Sequence, residues 1–194
     1  MTNTYQQLLE KVTARQKEVA TLVDFLETQT SWLTAPASTK FHLNHEGGLL
    51  QHSVGVANTL LKLKVTLAPQ ISEESCVIVG LFHDLGKTGF PGIPYYLKNT
   101  NEWEIKNRNK TYMVNPESVS INIATQSIYL ISKYVTLFPE EVQAIAAHDG
   151  LYPINGGVVN LEYYHYETPL TLLLHYADRW TAAVIEDKKP IQER

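Results

Sequence analysis

Apolar residues at helical spacing run through most of this chain, and that periodicity restricts the fold more than any other feature. Over residues 4–29, Leu8, Leu9, Val12, Val19, Leu22, Val23 and Leu26 recur with Lys, Arg, Glu and Gln between them, which predicts one amphipathic helix. The segment from Thr34 to Thr39, with Pro36 inside it, interrupts the pattern. A second helix is expected from about Gly48 to Leu67, carrying Leu49, Leu50, Val54, Ala57, Leu60 and Leu61 and closed by Pro69. Ser72 with Glu73 and Glu74 makes an N-cap and acidic first turn for a third, which holds Val77, Ile78, Leu81 and Phe82 and stops at Gly86. Helical patterns return over residues 118–136, then over 139–148 after Phe138-Pro139, and over 168–186 after Thr168-Pro169.

One region departs from this period. Pro91, Gly92 and Pro94 lead into short pieces that read as extended, at residues 94–97, 103–106 and 111–114. The expected fold class is therefore all-α, with a small β-hairpin-like insertion around residues 94–114. No repeat, low-complexity tract or linker divides the 194 residues, a length suited to one domain with a sizeable core. A single domain over residues 1–194 is expected, residues 1–30 forming a helix that packs on a core of residues 35–185.

Composition narrows the function. A net charge of −4 offers no global attraction to nucleic acid or to an anionic membrane. One cysteine excludes a disulfide scaffold or a Cys-rich zinc module. No stretch approaches the roughly 20 apolar residues of a membrane span, and no apolar run follows a basic start, so a cytoplasmic protein is expected. Seven histidines and eleven tyrosines are the informative surplus.

The stretch GLFHDLGKTG, Gly80 to Gly89, concentrates the chemistry. Its Gly86-Lys87-Thr88 resembles the end of a phosphate-cradling loop, but the pattern GxxxxGK[ST] has one residue fewer between its glycines than Gly80 and Gly86 do. Such a loop also follows a strand and opens a helix, whereas this one follows a helical segment and runs into Gly89, Pro91 and Gly92. The alternative is metal ligation by His83 and Asp84, completed by His52 from the preceding helix and Asp178 from the last. Mixed imidazole and carboxylate ligands suit mid-transition divalent ions, and an open position lets such an ion activate water. A lone His or Asp is more often a satisfied polar residue, so spacing by itself does not decide the matter.

The wider text does more. His52, His83-Asp84 and Asp178 follow the H…HD…D order of the HD-domain metal-dependent phosphohydrolases, and the surrounding blocks are similar too. These blocks are PASTKFH ending at His42, EGGLLQHS from Glu46, GLFHDLGK from Gly80, AIAAH ending at His148 and HYAD ending at Asp178. The likeness covers roughly residues 35–185. It implies a helical bundle holding a divalent metal (Mn2+, Fe2+, Co2+, Ni2+, Zn2+ or Mg2+) on His52, His83, Asp84 and Asp178, and hydrolysis of a phosphate ester of a small molecule, a nucleotide above all. It places Lys87 against substrate phosphate as a point charge. Asp84 or Asp178 would accept a proton, and His148 would protonate the leaving oxygen or touch a second metal. Relatives with a two-metal site carry a further histidine just before a Ser-x-Tyr-Leu segment; here that segment is Ser127-Ile-Tyr-Leu, preceded by Gln126. One tight metal is therefore expected rather than two.

Other candidates are less sharply marked. His42 is expected to line the pocket, and His45 to sit on a solvated loop. His175 shares a helix face with Asp178 and is read as a core histidine or one that orients a ligand. Lys98, Lys106, Arg108 and Lys110, with Tyr95, Tyr96, Trp103 and Tyr112, form either a lid over phosphate and base or a solvated hairpin; Lys98 and Arg108 are the substrate-binding candidates. Tyr163 to Tyr166 is read as core or interface, and Arg179 and Trp180 as facing the cleft or its rear. Two further functions fit the same residues. The GGLLQHS block also resembles HD-type 3′ exonucleases acting on single-stranded RNA or DNA, which the acidic balance disfavours. A metal-stapled module binding a nucleotide or a protein without turnover is the other.

Overall fold

The computed structural model describes residues 2–150 and 166–186. The centre of the bundle is the expected third helix, here α4 (Glu73–Phe82), capped by the Ser72 hydroxyl accepting from the Ser75 amide. Every residue from Ser75 to Phe82 is buried, so this helix is apolar on all sides and surrounded. It lies against α3 (Gly48–Leu67), α7 (Pro139–Ala146) and α8 (Pro169–Trp180). Each fully buried Val, Ile, Leu or Phe here contributes about 1.5–3 kcal/mol relative to exposure. Trp32, Leu22, Leu26, Leu60, Ile78, Leu81 and Leu130 extend the same core.

The structure divides the expected first helix in two, α1 (Tyr5–Leu9) and α2 (Gln16–Gln29). The cause is distant in sequence. Glu74 accepts hydrogen bonds from the backbone amides of Thr13 and Ala14 at 2.8 and 2.7 Å, which draws those amides away from a helical ladder. Arg15 then donates to Glu74 through Nε and, in a fork, to both oxygens of Glu141, each at 2.7 Å. The guanidinium is 7% exposed, Glu141 1%, and the Phe138 ring covers the cation at 4.5 Å.

α4 ends at Phe82 rather than at Gly86, and a 3-10 turn follows over Leu85–Thr88. A Cβ on Gly86 would collide with the Ile123 carbonyl, so the glycine is there for close approach to α6 (Ile123–Ser132). The Gly86 amide donates to Ser127 Oγ at 2.8 Å, which ties the turn to that helix.

The insertion contains a hairpin, β1 (Tyr96–Lys98) antiparallel to β2 (Tyr112–Val114), with Leu97 opposite Met113. Its middle piece, residues 103–106, was expected to be extended and is helical, within α5 (Glu102–Arg108). Asn101 caps it by accepting from the Glu104 amide, Glu102 and Glu104 open it, Lys106 and Arg108 close it, and Asn109 takes the left-handed exit. α6 starts at Ile123 instead of 118 because Asn122 is its cap, and it stops at Ser132 instead of 136. α7 also ends earlier than the expected 148. The last pattern, expected as one helix over 168–186, is α-helical to Trp180 and π-helical over Thr181–Glu186. Residues 163–165 lie outside the described residues, and Tyr166 is exposed.

Replacing Arg15 by Ala strands two carboxylates, one of them almost fully buried. The expected loss is about 3–5 kcal/mol, read as a lower urea midpoint. Burial by itself would raise the Glu74 pKa; hydrogen bonds from Arg15 and from the Ala14 and Thr13 amides outweigh it and hold the group below its ordinary 4.5. The folded value is thus the lower one, so this contribution is complete above about pH 4.5 and is lost as pH falls through the folded value. Urea titrations across that range should show acid destabilisation that is shallower in Glu74→Gln.

Candidate metal centre

Four helices deliver the ionisable cluster. α3 carries His52, α4 is followed directly by His83 and Asp84, α7 is followed by His148, and α8 carries Asp178. His83 and His148 are at most 2% exposed, His52 1% and Asp84 3%. Each imidazole has its Nδ1 engaged on the outer side: His83 donates to the Gly80 carbonyl at 3.0 Å, His148 to the Ile145 carbonyl at 2.7 Å, and His52 to Glu186 at 3.0 Å. Every Nε2 is thereby turned inward.

The inward atoms meet the two aspartates. His52 Nε2 is 3.0 Å from Asp178 Oδ1 and 3.9 Å from Asp84 Oδ2. His83 Nε2 is 3.6 Å from Asp84 Oδ2 and 4.0 Å from Asp178 Oδ1. His148 Nε2 is 3.5 Å from Asp84 Oδ1. The donor atoms of His52, His83 and Asp178 lie within 4.8 Å of one another, as do those of His83, Asp84 and His148.

Electrostatics identify what this arrangement wants. Burial, helped by His148 and His52, outweighs the two aspartates and brings His83 down to about 4, so the ring is neutral near pH 7. Its Nδ1 holds the proton, leaving Nε2 as a bare lone pair that is buried, has no hydrogen-bond partner among the described residues, and faces two carboxylates. Such an atom is costly unless a cation sits against it. At His52 and His148 burial opposes the charge, but Asp178 and Glu186 in one case and Asp84 in the other raise both to about 9. Burial would raise Asp178, yet His52 and His83 hold it at about 2. Asp84 likewise lies well below the carboxylate range despite burial, chiefly through Lys87. Protons and a divalent ion compete for the same lone pairs, so ion uptake would release protons. The residues present fit a divalent metal with nitrogen and oxygen ligands.

The other candidates fall in different places. Lys87 is drawn onto Asp84, Nζ to Oδ2 at 2.6 Å, and burial of its ammonium is outweighed by that contact, which raises its pKa. His42 has its ring centroid 4.9 Å from that of His52, and its Nε2 has no hydrogen-bond partner among the described residues. His175 donates through Nδ1 to the His148 carbonyl at 2.8 Å, so it steadies the segment carrying that histidine. Lys98 is exposed and 3.9 Å from Glu46; Arg108 is exposed, 4.0 Å from Glu104 and stacked on Trp103. His45, Arg179 and Trp180 are exposed. The insertion meets the centre through its tyrosines instead: burial raises Tyr95 and lifts Tyr96 to about 12, and in both the Lys87 ammonium is the group that pulls back.

Glu186 escaped sequence reasoning. It follows the apolar run Ala182-Ala-Val-Ile185 and contacts His52 with both oxygens, at 3.2 and 3.0 Å. A single carboxylate closing an apolar helical turn was the available signal.

Removing an inward donor should empty the cluster of metal. After dialysis against Co2+ or Mn2+, elemental analysis of His83→Ala and Asp178→Ala is expected to show bound metal reduced at least about tenfold relative to the unmodified chain. Equal loading in all three proteins would rule out this ligand set.

Among the described residues no helix is long and apolar enough to cross a membrane. The family profile for the HD domain matches residues 49–183, which includes His52, His83, Asp84, His148 and Asp178. No curated protein and no solved structure matches the sequence. The profile spans well over half of the chain, the helical bundle agrees with it, and its family implies metal-dependent phosphohydrolase-type chemistry: this protein belongs to the HD domain family.

Proposed function

We propose that the chain is a cytoplasmic, metal-dependent phosphohydrolase acting on a small phosphorylated molecule, a nucleoside mono- or triphosphate. The observation that carries this reading is the buried Nε2 of His83, without a hydrogen-bond partner among the described residues and facing the carboxylates of Asp84 and Asp178. His52, His83, Asp84 and Asp178 would hold one divalent ion, which supplies Lewis acidity to activate water and polarise a phosphoryl oxygen. A single ion is favoured because Gln126, not a histidine, precedes Ser127 on α6.

The protein groups then divide the work. Asp178 is the more open of the two carboxylates, its side chain 20% exposed against 5% for Asp84, and it is the better placed to take the proton of the attacking water. As the phosphorus–oxygen ester bond breaks, the leaving oxygen takes a proton from His148 Nε2. Lys87 fixes Asp84 with one N–H and has two more for phosphate oxygens. His42 Nε2 supplies a further contact beside His52. Tyr95 and Tyr96, packed edge to face at 4.8 Å, offer rings to a base on the Lys87 side. Lys98 and Arg108 are exposed beside Glu46 and Glu104 and take no part in these steps.

Phosphate release from a panel of nucleoside mono-, di- and triphosphates, with Mn2+ or Mg2+, tests the proposal. Asp84→Ala is expected to lower turnover by about 10²-fold or more. Wild-type release indistinguishable from that of Asp84→Ala across the panel would sink the catalytic reading.

A further inference from the structure

Glu186 is placed where a carboxylate needs a reason to be. Its neighbours Val184 and Ile185 are 45% and 58% exposed, whereas its own side chain is 5% exposed. A charge withdrawn from water must be compensated, and among the described residues the groups facing it are His52, through Nδ1, and His42, whose Nε2 lies 3.9 Å from Oε2.

The backbone is built to bring it there. After Trp180 the helix widens into a π-helical turn, a rare form found mostly at functional sites. That turn is fastened to α3 by the Thr181 hydroxyl donating to Thr59 Oγ1 at 3.0 Å. Gly55 supplies the clearance: a Cβ there would stand 2.9 Å from Thr181 Cγ2 and 3.4 Å from Glu186 Oε1. The same helical run thus sets Asp178 against Nε2 of His52 and Glu186 against Nδ1, one carboxylate on each nitrogen of a single ring.

We propose that Glu186 is the positioning residue of the metal centre, accepting the Nδ1–H of His52 so that its Nε2 is aimed, as a stronger donor, into the His83–Asp84–Asp178 cluster. The proposal rests on the metal-centre reading above. A carboxylate behind an imidazole ligand fixes its tautomer and ring orientation and raises its basicity, and losing one weakens metal binding by about 10- to 100-fold. Glutamine keeps the shape and one acceptor oxygen but not the charge, so Glu186→Gln should fall between wild type and Glu186→Ala.

Co2+ is the probe. Its affinity is measured by competition with a chromogenic chelator, and its visible absorption band reports ligand geometry independently of any hydrolysis. The expected result is a dissociation constant raised about 10- to 100-fold in Glu186→Ala, with a shifted or weakened band, and a smaller rise in Glu186→Gln. Ile185→Ala, on the exposed neighbour, should leave both readouts unchanged. Far-UV circular dichroism tells loss of fold from loss of aim, and if Glu186→Ala does not fold, the isosteric Glu186→Gln decides. Wild-type affinity and an unaltered band in Glu186→Gln and in folded Glu186→Ala would overturn the role of Glu186 while leaving the metal centre intact. A wild-type chain that takes up no Co2+ would overturn the metal reading and this role together.

Discussion

A carboxylate just past the inner end of a helix buried from Ser75 onward governs much of this molecule. Asp84 is delivered by α4, which has no solvent-facing side from Ser75 onward, so the charge arrives where water cannot compensate it. Lys87 answers it from the following turn, His148 from beyond α7, and His52 and His83 from α3 and α4. Two of these partners reach Asp84 from other helices, so the seating of α3 and α7 against α4 bears on this charge as well as on apolar packing.

The cluster is asymmetric in a chemically useful way. Three imidazoles have their outer nitrogens occupied, two by backbone carbonyls and one by Glu186, so the inner nitrogens have little freedom to turn away. Backbone acceptors at His83 and His148 come from the turn just preceding each residue and are assured by local geometry. The acceptor at His52 is a side chain arriving from a distant helix, which makes it the one contact of the three that a single substitution can remove without disturbing a local turn.

The legible parts of the sequence were those where chemistry is local. HDLGK places both ligands and the lysine on one helix end, and the apolar spacing of residues 48–67 matches α3 to the residue. The break at Thr13 and Ala14 was hidden because its cause is Glu74, far along the chain; the apolar period itself continues through Leu8, Val12, Val19 and Leu22, all buried. α5 was misread although Asn101 and Asn109 carry the capping chemistry, since the neighbouring aromatic and polar residues favoured an extended reading. Glu186 is marked only by closing an apolar turn, because its importance depends on a π-helical turn and on the gap at Gly55, neither of which leaves a periodic mark.

The fork between Arg15 and Glu141 also bears on how the chain is assembled. These partners are 126 residues apart, with most of the bundle between them. Closing so long a loop carries an entropic cost that only already-formed structure can reduce, and contacts of such separation slow folding. During synthesis the guanidinium emerges long before Glu141, so the fork itself closes only after α7 exists. A contact that sits at the junction of α1 and α2 is thus secured only from the far side of the bundle.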